Sequence, residues 1–209
     1  LANNHIYDLG EDGLINTINR LEELGIKYVG AGHNEEEASK PAVFEIEGRS
    51  FAFLAYMEPH WRAPHGAEKN KAGINLFQID KAINDIKKCK KLYDYVFILP
   101  HWGVEYTYFP LPSDVAKVNK LIEAGADGIF GSHTHMIQPY SKIGKSIVYY
   151  SLGNFLFPDF YMSKERPIYY PKEGENTAEF PISYEYPKSP KSTIHRIWKR
   201  SSRIGLIAN

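Results

Sequence analysis

Hydrophobic residues along most of the chain follow two alternating spacings, one helical and one strand-like. Apolar residues at three- and four-residue steps predict an amphipathic helix over residues 11–24, which Gly25 ends. The same spacing predicts helices over residues 76–92 and 113–124, the second with Ser113 as its N-cap. Each predicted helix therefore has one apolar face to bury against another element.

Short apolar segments between these helices predict β-strands. Residues 42–46 and 51–56 flank a Glu-Gly turn, which predicts a hairpin, and residues 95–99 form a continuous apolar run that predicts a strand buried on both faces. Further strands are predicted at residues 26–29, 128–130 and 146–150. Strands that alternate with helices indicate an α/β domain, in which ligands collect at the loops after the carboxyl ends of the strands.

The chain has 209 residues, enough for one sizeable core, and its sequence changes character after the last of these strands. Residues 161–209 are rich in Pro, Tyr, Ser, Lys and Glu without a clear period, so we expect a core domain over residues 1–160 followed by an irregular insertion or tail. The final segment, residues 203–209, predicts the start of a strand. Because the chain begins with Leu1 in the middle of a motif, we expect further elements upstream. Because the predicted final strand is cut short, we also expect a continuation at the carboxyl end.

Composition and charge narrow the function classes. With 25 basic and 25 acidic side chains the formal net charge is +0, which disfavours nucleic acid as the main partner. No apolar run approaches the roughly 20 residues needed to cross a bilayer, and the one cysteine, Cys89, cannot form an internal disulfide. A basic run near the carboxyl end is either a solvated face or a contact for an anionic polymer. It comprises Lys188, Lys191, Arg196, Lys199, Arg200 and Arg203.

Three histidines follow predicted strands. His101 comes soon after the continuous apolar run, and His133 and His135 come two residues apart after the next strand. Neutral imidazole is a favoured ligand of Zn, Mn, Fe or Ni, and two neighbouring ions can clamp the attacking and leaving oxygens of a phosphoryl transfer. The alternative is that these are loop histidines with ordinary hydrogen bonds. His60 and His65 could line a substrate cleft, but they are favoured as surface histidines.

The Asn-Asn-His sequence at the start of the chain adds a different kind of donor. The side-chain carbonyl oxygen of Asn4 can serve as a neutral metal ligand, although an Asn-rich turn or helix cap is the common alternative. Asp8 is expected to shape the turn into the first helix. Glu105, close after His101, could orient an imidazole, hold a substrate cation or be a solvated surface carboxylate.

Five short motifs, taken in order, are more specific than any of these residues alone. They are Ala2–His5 with Asp8 and Gly10, Gly30–Asn34 with Ala38 and Pro41, His101–Tyr106, Ala124–Asp127 leading to Gly131–His135 with Gln138 and Pro139, and Ser151–Phe155. Their order over residues 1–157 resembles that of the CapA family, also called poly-γ-glutamate capsule-synthesis proteins. That family is similar to calcineurin-like metallophosphoesterases. Its Gly-Asp and Asn-Leu-Glu elements, which come before the Asn-Asn-His motif, are absent from this chain.

The resemblance implies a four-layer α/β/β/α sandwich, here incomplete at the N-terminus and by our expectation at the C-terminus, with two divalent ions, Mn, Zn or Fe, in the complete protein. It implies that Asn4 is an amide ligand. His101 and His133 would bind one metal, and His135 would bind the other. His5 would contact the scissile group or protonate its leaving group. Further candidates for supporting the ligands or contacting substrate are Asp8, Glu105 and Asn154.

The resemblance also implies a function. It favours a metal-dependent hydrolase or transferase that makes, anchors or trims an anionic capsule polymer such as poly-γ-glutamate, together with other capsule-synthesis proteins at the cell envelope. One alternative is a phosphoesterase for a small phosphorylated compound. Another is a non-catalytic envelope assembly component that keeps the fold.

Overall fold

The computed structural model describes residues 1–60, 63, 65–155, 160–162 and 194–196. The helices are α1 (Gly10–Glu23), α2 (Glu35–Ser39), α3 (Ile79–Lys90) and α4 (Pro112–Glu123). The strands are β1 (Ala31–Gly32), β2 (Ala42–Ile46), β3 (Arg49–Met57), β4 (Gly73–Ile74), β5 (Tyr95–His101), β6 (Gly128–Phe130), β7 (Tyr140–Ile143), β8 (Ser146–Tyr149), β9 (Phe160–Met162) and β10 (Ile194–Arg196). No helix in this described part has the length and apolar composition needed to cross a membrane.

Six strands form one mixed sheet in the order β2-β3-β5-β6-β8-β7. The four inner strands run parallel, and the outer strands β2 and β7 pair antiparallel with their neighbours. Two small antiparallel sheets, β1-β4 and β9-β10, accompany it. The predicted α/β class and the predicted hairpin of β2 and β3 are confirmed. Because the inner strands share one direction, their carboxyl ends lie along one edge of the sheet.

Helices α3 and α4 cover one face of the large sheet. Ile86 and Cys89 of α3 and Leu121 of α4 are buried against Ile98 of β5 and Ile129 of β6. These helices have the apolar stripe that their spacing predicted, and the strands present alternate residues to it. The packing fixes the two strands that lead to the candidate histidines.

A second apolar cluster lies beside the carboxyl end of β3. Leu14 and Ile18 of α1 pack with Met57 of β3 and with Ala2 of the N-terminal segment. This burial anchors the segment before α1, which carries Asn4, next to the edge where the parallel strands end.

The other face of the large sheet carries stacked aromatic side chains. Phe53 stacks on Phe97 with ring centroids 5.2 Å apart, and Phe130 stacks on Tyr149 at 5.8 Å. These rings are only partly buried, so β5 alternates between buried and half-buried residues. The prediction that residues 95–99 are buried on both faces is therefore wrong.

Some predicted boundaries also differ from the structure. Residues 26–29 form no strand, because they pair with no other strand among the described residues. Helix α4 begins at Pro112, so Ser113 is not its N-cap; the fixed φ of proline suits the first helical position. Strand β7 was missed because only one of its four residues, Ile143, is aliphatic.

The segment after the core lies mostly outside the described residues. The predicted strand over residues 203–209 falls there, as does the basic run except for Arg196 in β10. The described part of this segment is the short pair β9-β10, so the predicted boundary at residue 160 stays a prediction.

Candidate metal centre

The carboxyl ends of the parallel strands place several polar residues in one region. His101 is the last residue of β5, Glu58 directly follows β3, and Ser132 follows β6 by two positions. Asn154 lies in the segment after β8, and Asn4 reaches the same region from the N-terminal segment. This placement is the one expected for a ligand site in a parallel α/β sheet.

Asn4, His101 and His133 form a contiguous group. The side-chain carbonyl oxygen of Asn4 lies 2.9 Å from Nε2 of His101, although the two residues are 97 positions apart. Nδ1 of His101 lies 3.0 Å from the hydroxyl oxygen of Ser132. The ring centroids of His101 and His133 are 4.6 Å apart. Since Asn4 is only 2% exposed, its amide is withdrawn from water, and its oxygen faces the imidazole of His101.

The segment that carries His133 and His135 has a strained backbone. Their φ angles are 98° and 59°, in the left-handed region that residues other than glycine rarely adopt. Gly131 lets this segment approach the neighbouring strand, because an added Cβ would lie 1.9 Å from the carbonyl oxygen of Tyr150. Strain of this kind persists only where the surrounding structure enforces it, and it clusters at functional sites.

The imidazoles of the group are held in the neutral form. Burial lowers the pKa of His101 to about 3, and nearby imidazoles, His133 first among them, lower it as well. Burial also lowers the pKa of His133, against the opposing charge of Glu105. Nδ1 of His133 is buried and has no hydrogen-bond partner in the described part of the chain. Neutral imidazole is the form that binds a metal.

The candidate proton donor, His5, is more exposed than this group. Its Nδ1 lies 2.7 Å from a carboxylate oxygen of Asp8, and the two side chains are 50% and 48% exposed. Asp8 was expected to shape the turn into α1, and the structure shows that it also contacts His5. His5 directly follows Asn4 in the chain, and its charge is one of the influences that lower the pKa of His101.

His135 lies beside the same group and has its own supports. Its Nδ1 is 2.8 Å from the side-chain oxygen of Asn154, and the ring of Tyr106 stacks on it with centroids 5.6 Å apart. The charge of His135 lowers the pKa of both His101 and His133. The ligand roles of His101, His133, His135 and Asn4 stay predictions, but the structure brings these residues into one region.

Two further residues belong to this region. The ring of His60 meets the ring of His133 edge to face with centroids 5.5 Å apart, although the sequence favoured His60 as a surface residue. The charge of Glu58 opposes the lowering of the pKa of His133, so this carboxylate also acts on the group. The sequence signal for Glu58 was its position directly after a buried strand, similar to that of His101.

The residues present fit a divalent ion in ligand type. Asn4, His101, His133 and His135 provide one amide oxygen and three imidazoles, and an ion would satisfy the unpartnered Nδ1 of His133. In the described ranges, no group of three or more His, Cys, Asp or Glu side chains is arranged to hold a metal ion. Binding of an ion by these four residues therefore stays a prediction.

The fold that carries these residues is metallophosphoesterase-like. The structure aligns with that of a candidate 5'-nucleotidase from Staphylococcus aureus in complex with alpha-ketoglutarate, with a TM-score of 0.51 over 79% of this chain and 35% of that chain. The sequence identity of 12% limits this likeness to the fold. A family model described as bacterial capsule synthesis protein PGA_cap matches residues 1–159. The chain belongs to the PGA_cap family.

Curated relatives agree with this membership. The chain is 34% identical to the capsule biosynthesis protein CapA of Bacillus anthracis, over 75% of this chain and 39% of that protein. It is 31% identical to the PGA biosynthesis protein CapA of Bacillus subtilis strain 168, over 75% of this chain and 41% of that protein. The resemblance drawn from the five motifs is confirmed. The chain spans about two fifths of the length of these relatives.

Proposed function

We propose that this chain carries most of the catalytic centre of a metal-dependent hydrolase or transferase that acts on an anionic capsule polymer such as poly-γ-glutamate. The family and the names of the two CapA relatives support the capsule role. The same relationship supports a site of action at the cell envelope, with other capsule-synthesis proteins as partners. A divalent ion, Mn, Zn or Fe, is the proposed cofactor, and the complete protein would hold two.

One observation supports this proposal most directly. Asn4 and His101 come from opposite parts of the core, yet their side chains meet at 2.9 Å beside the ring of His133. A buried amide oxygen beside a neutral imidazole provides donors that a divalent metal prefers. Ordinary loop histidines would not require the strained backbone found at His133 and His135.

The residues divide into two roles. Asn4, His101, His133 and His135 would hold the ion, which supplies Lewis-acid activation of a carbonyl or phosphoryl oxygen or of water. His5, oriented by Asp8, would donate a proton to the departing group. The exposure of His5 fits this role, because a proton donor must reach a substrate that arrives from solvent.

The test is an activity assay on the full-length protein with Mn²⁺ or Zn²⁺. Poly-γ-glutamate and a panel of small phosphoesters are offered separately, and polymer length and released phosphate are measured. We expect a change in polymer length that His133→Ala abolishes. The matched control is His65→Ala, because His65 is exposed and the substitution keeps its backbone carbonyl oxygen, which accepts a hydrogen bond from the Tyr7 hydroxyl.

Other results of this assay would support one of the two alternative functions or contradict the proposed centre. Release of phosphate from small phosphoesters without any change in the polymer would identify a small-molecule phosphoesterase. Inactivity on both substrates with metal bound would identify a non-catalytic assembly component. Activity that is insensitive to His133→Ala would contradict the proposed centre.

A further inference from the structure

Glu58 holds the end of β5 from two sides. Its backbone N–H donates to the carbonyl oxygen of His101 at 3.0 Å. The backbone N–H of Gly103 donates to Oε2 of its side chain at 3.2 Å. Glu58, at the end of the neighbouring strand, therefore forms hydrogen bonds with both ends of the segment His101–Gly103.

The side chain of Glu58 is itself fixed by α4. Its second oxygen, Oε1, accepts a hydrogen bond from the ammonium group of Lys117. Lys117 also donates to Oδ1 of Asp114 at 2.9 Å, and Asp114 is nearly inaccessible to solvent. Oδ2 of Asp114 accepts from the backbone N–H of Leu111 at 3.2 Å. Because each carboxylate oxygen has a donor, neither side chain can reorient without losing a charge-assisted bond.

The ammonium group of Lys117 keeps its charge at this partly buried position. Burial lowers the pKa of Lys117, but the hydrogen bonds and charges of Glu58 and Asp114 outweigh burial and raise it overall. The Lys117 ammonium also lies 5.9 Å from the ring centroid of Trp102, the residue between His101 and Gly103. The network therefore contacts the segment of His101 through both its backbone and its central ring.

We infer that Glu58 is a positioning residue of the candidate metal centre, fixing the segment of residues 101–103 so that the His101 ring keeps its contacts with Asn4 and His133. Both carboxylate oxygens of Glu58 are engaged by Gly103 and Lys117, so Glu58 acts through the backbone and is not a ligand. The importance of this positioning for metal binding rests on the proposed function. The positioning itself is a property of the metal-free chain.

Two substitutions at Glu58 separate the effect of its hydrogen bond to Gly103 from the effect of its negative charge. Glu58→Met removes the acceptor for the Gly103 N–H, whereas Glu58→Gln removes the charge and keeps an oxygen acceptor. The readouts are the histidine ring resonances by NMR in the metal-free chain and the affinity for Mn²⁺ by calorimetry. We expect Glu58→Met to shift the His101 resonances and to weaken Mn²⁺ binding about 10- to 100-fold. We expect smaller changes in both quantities for Glu58→Gln, because its one amide oxygen can keep the bond from Gly103 but not the bond from Lys117 as well.

The matched control is Asp94→Leu. Oδ2 of Asp94 accepts the backbone N–H of Ser50 at 2.8 Å, at the opposite end of β3 from Glu58. Its loss removes the same kind of carboxylate–backbone bond from the same strand, so it should lower stability without moving the His101 resonances. If Glu58→Met does not fold, Lys117→Met serves in its place, because it releases the Glu58 side chain and leaves the backbone bond to His101.

The outcomes separate this inference from the proposed function. Unchanged His101 resonances in folded Glu58→Met, or in folded Lys117→Met where that variant replaces it, overturn the positioning role. An equal effect of Glu58→Gln and Glu58→Met also overturns it, because charge would then be the cause. If the unsubstituted chain does not bind Mn²⁺, the proposed metal centre fails, but the ring resonances still decide whether Glu58 positions His101.

Discussion

At the scale of single residues, the environments of His5 and His101 suit different chemical tasks. His101 is partly buried, neutral and in contact with an amide, as a ligand would be. His5 is half-exposed and paired with a carboxylate, as a proton donor would be. Their positions in the sequence alone gave no such contrast, because burial depends on the packing of α1 and β3 around the N-terminal segment.

Replacement of His5 tests the second role. We expect His5→Asn in the full-length protein to lower turnover by about 100- to 10,000-fold, the usual contribution of general acid catalysis, with little change in bound metal. Turnover assays combined with metal analysis measure both quantities. A parallel loss of metal and turnover would make His5 a ligand instead.

The burial of His101 predicts a pH dependence of stability. Its pKa falls from 6.5 to about 3 on folding, so the unfolded chain binds a proton that the folded chain excludes. The stabilisation is complete above about pH 6.5 and is lost as the pH falls toward 3, by about 1.4 kcal/mol per pH unit.

Urea unfolding between about pH 7 and about pH 5 measures this effect. We expect His101→Gln to show a shallower decline in the free energy of unfolding than the unsubstituted chain. His65→Gln, at an exposed site, should keep the steep decline. Equal slopes for all three proteins would show that His101 is accessible to protons in the folded state.

At the scale of elements, the turn after β6 depends on a close approach of two strand ends. A Cβ at Gly131 would lie 1.9 Å from the carbonyl oxygen of Tyr150, which accepts the indole N–H of Trp102 at 3.0 Å. We expect Gly131→Ala to cost about 3 kcal/mol in the free energy of unfolding, because backbone cannot give way as a side chain can. Chemical denaturation gives this value directly.

A second glycine provides the control for that measurement. A Cβ at Gly66 would meet the end of the Leu76 side chain at 2.9 Å, and that chain can move aside. We expect Gly66→Ala to cost less than about 1 kcal/mol. Equal costs for the two variants would mean that the turn after β6 is more pliable than its contacts imply.

The elements that the sequence predicted well are those whose pattern is local. Helix α1 and strand β6 lie within a residue of their predicted bounds, because helical spacing and short apolar runs reflect burial of a single face. The prediction of a strand at residues 26–29 was wrong, because a strand also needs a partner that its own sequence does not specify. The prediction that β5 is buried on both faces was wrong for a similar reason, because what covers each face of a strand is not specified by the strand's own sequence.

In the candidate site, too, local sequence features could be predicted and contacts across the fold could not. Its histidines and Asn4 could be predicted from motifs and from positions after strands. Glu58 and His60 could not be assigned, because their relevance comes from contacts across the fold, with Gly103 and His133 respectively. Residues that support a site rather than bind its ligand have no short sequence pattern of their own.

At the scale of the whole molecule, the charge of the site limits what this chain can bind alone. Amide and imidazole ligands carry no negative charge, so they cannot offset two divalent ions held close together. We expect calorimetry with Mn²⁺ or Zn²⁺ to show weak binding of at most about one ion per chain. Tight binding of two ions would show that the ligand set has been misassigned.

The contact between Asn4 and His101 also has a kinetic consequence. It joins residues 97 positions apart, and the inner parallel strands are likewise joined only through long crossovers. Contacts of this sequence separation form slowly, because the chain must lose much of its conformational freedom before they stabilise it. We therefore expect helices α1, α3 and α4 to appear early in refolding and the imidazole group to assemble among the last events, so that a refolding chain acquires metal affinity only after most of its helical signal has returned.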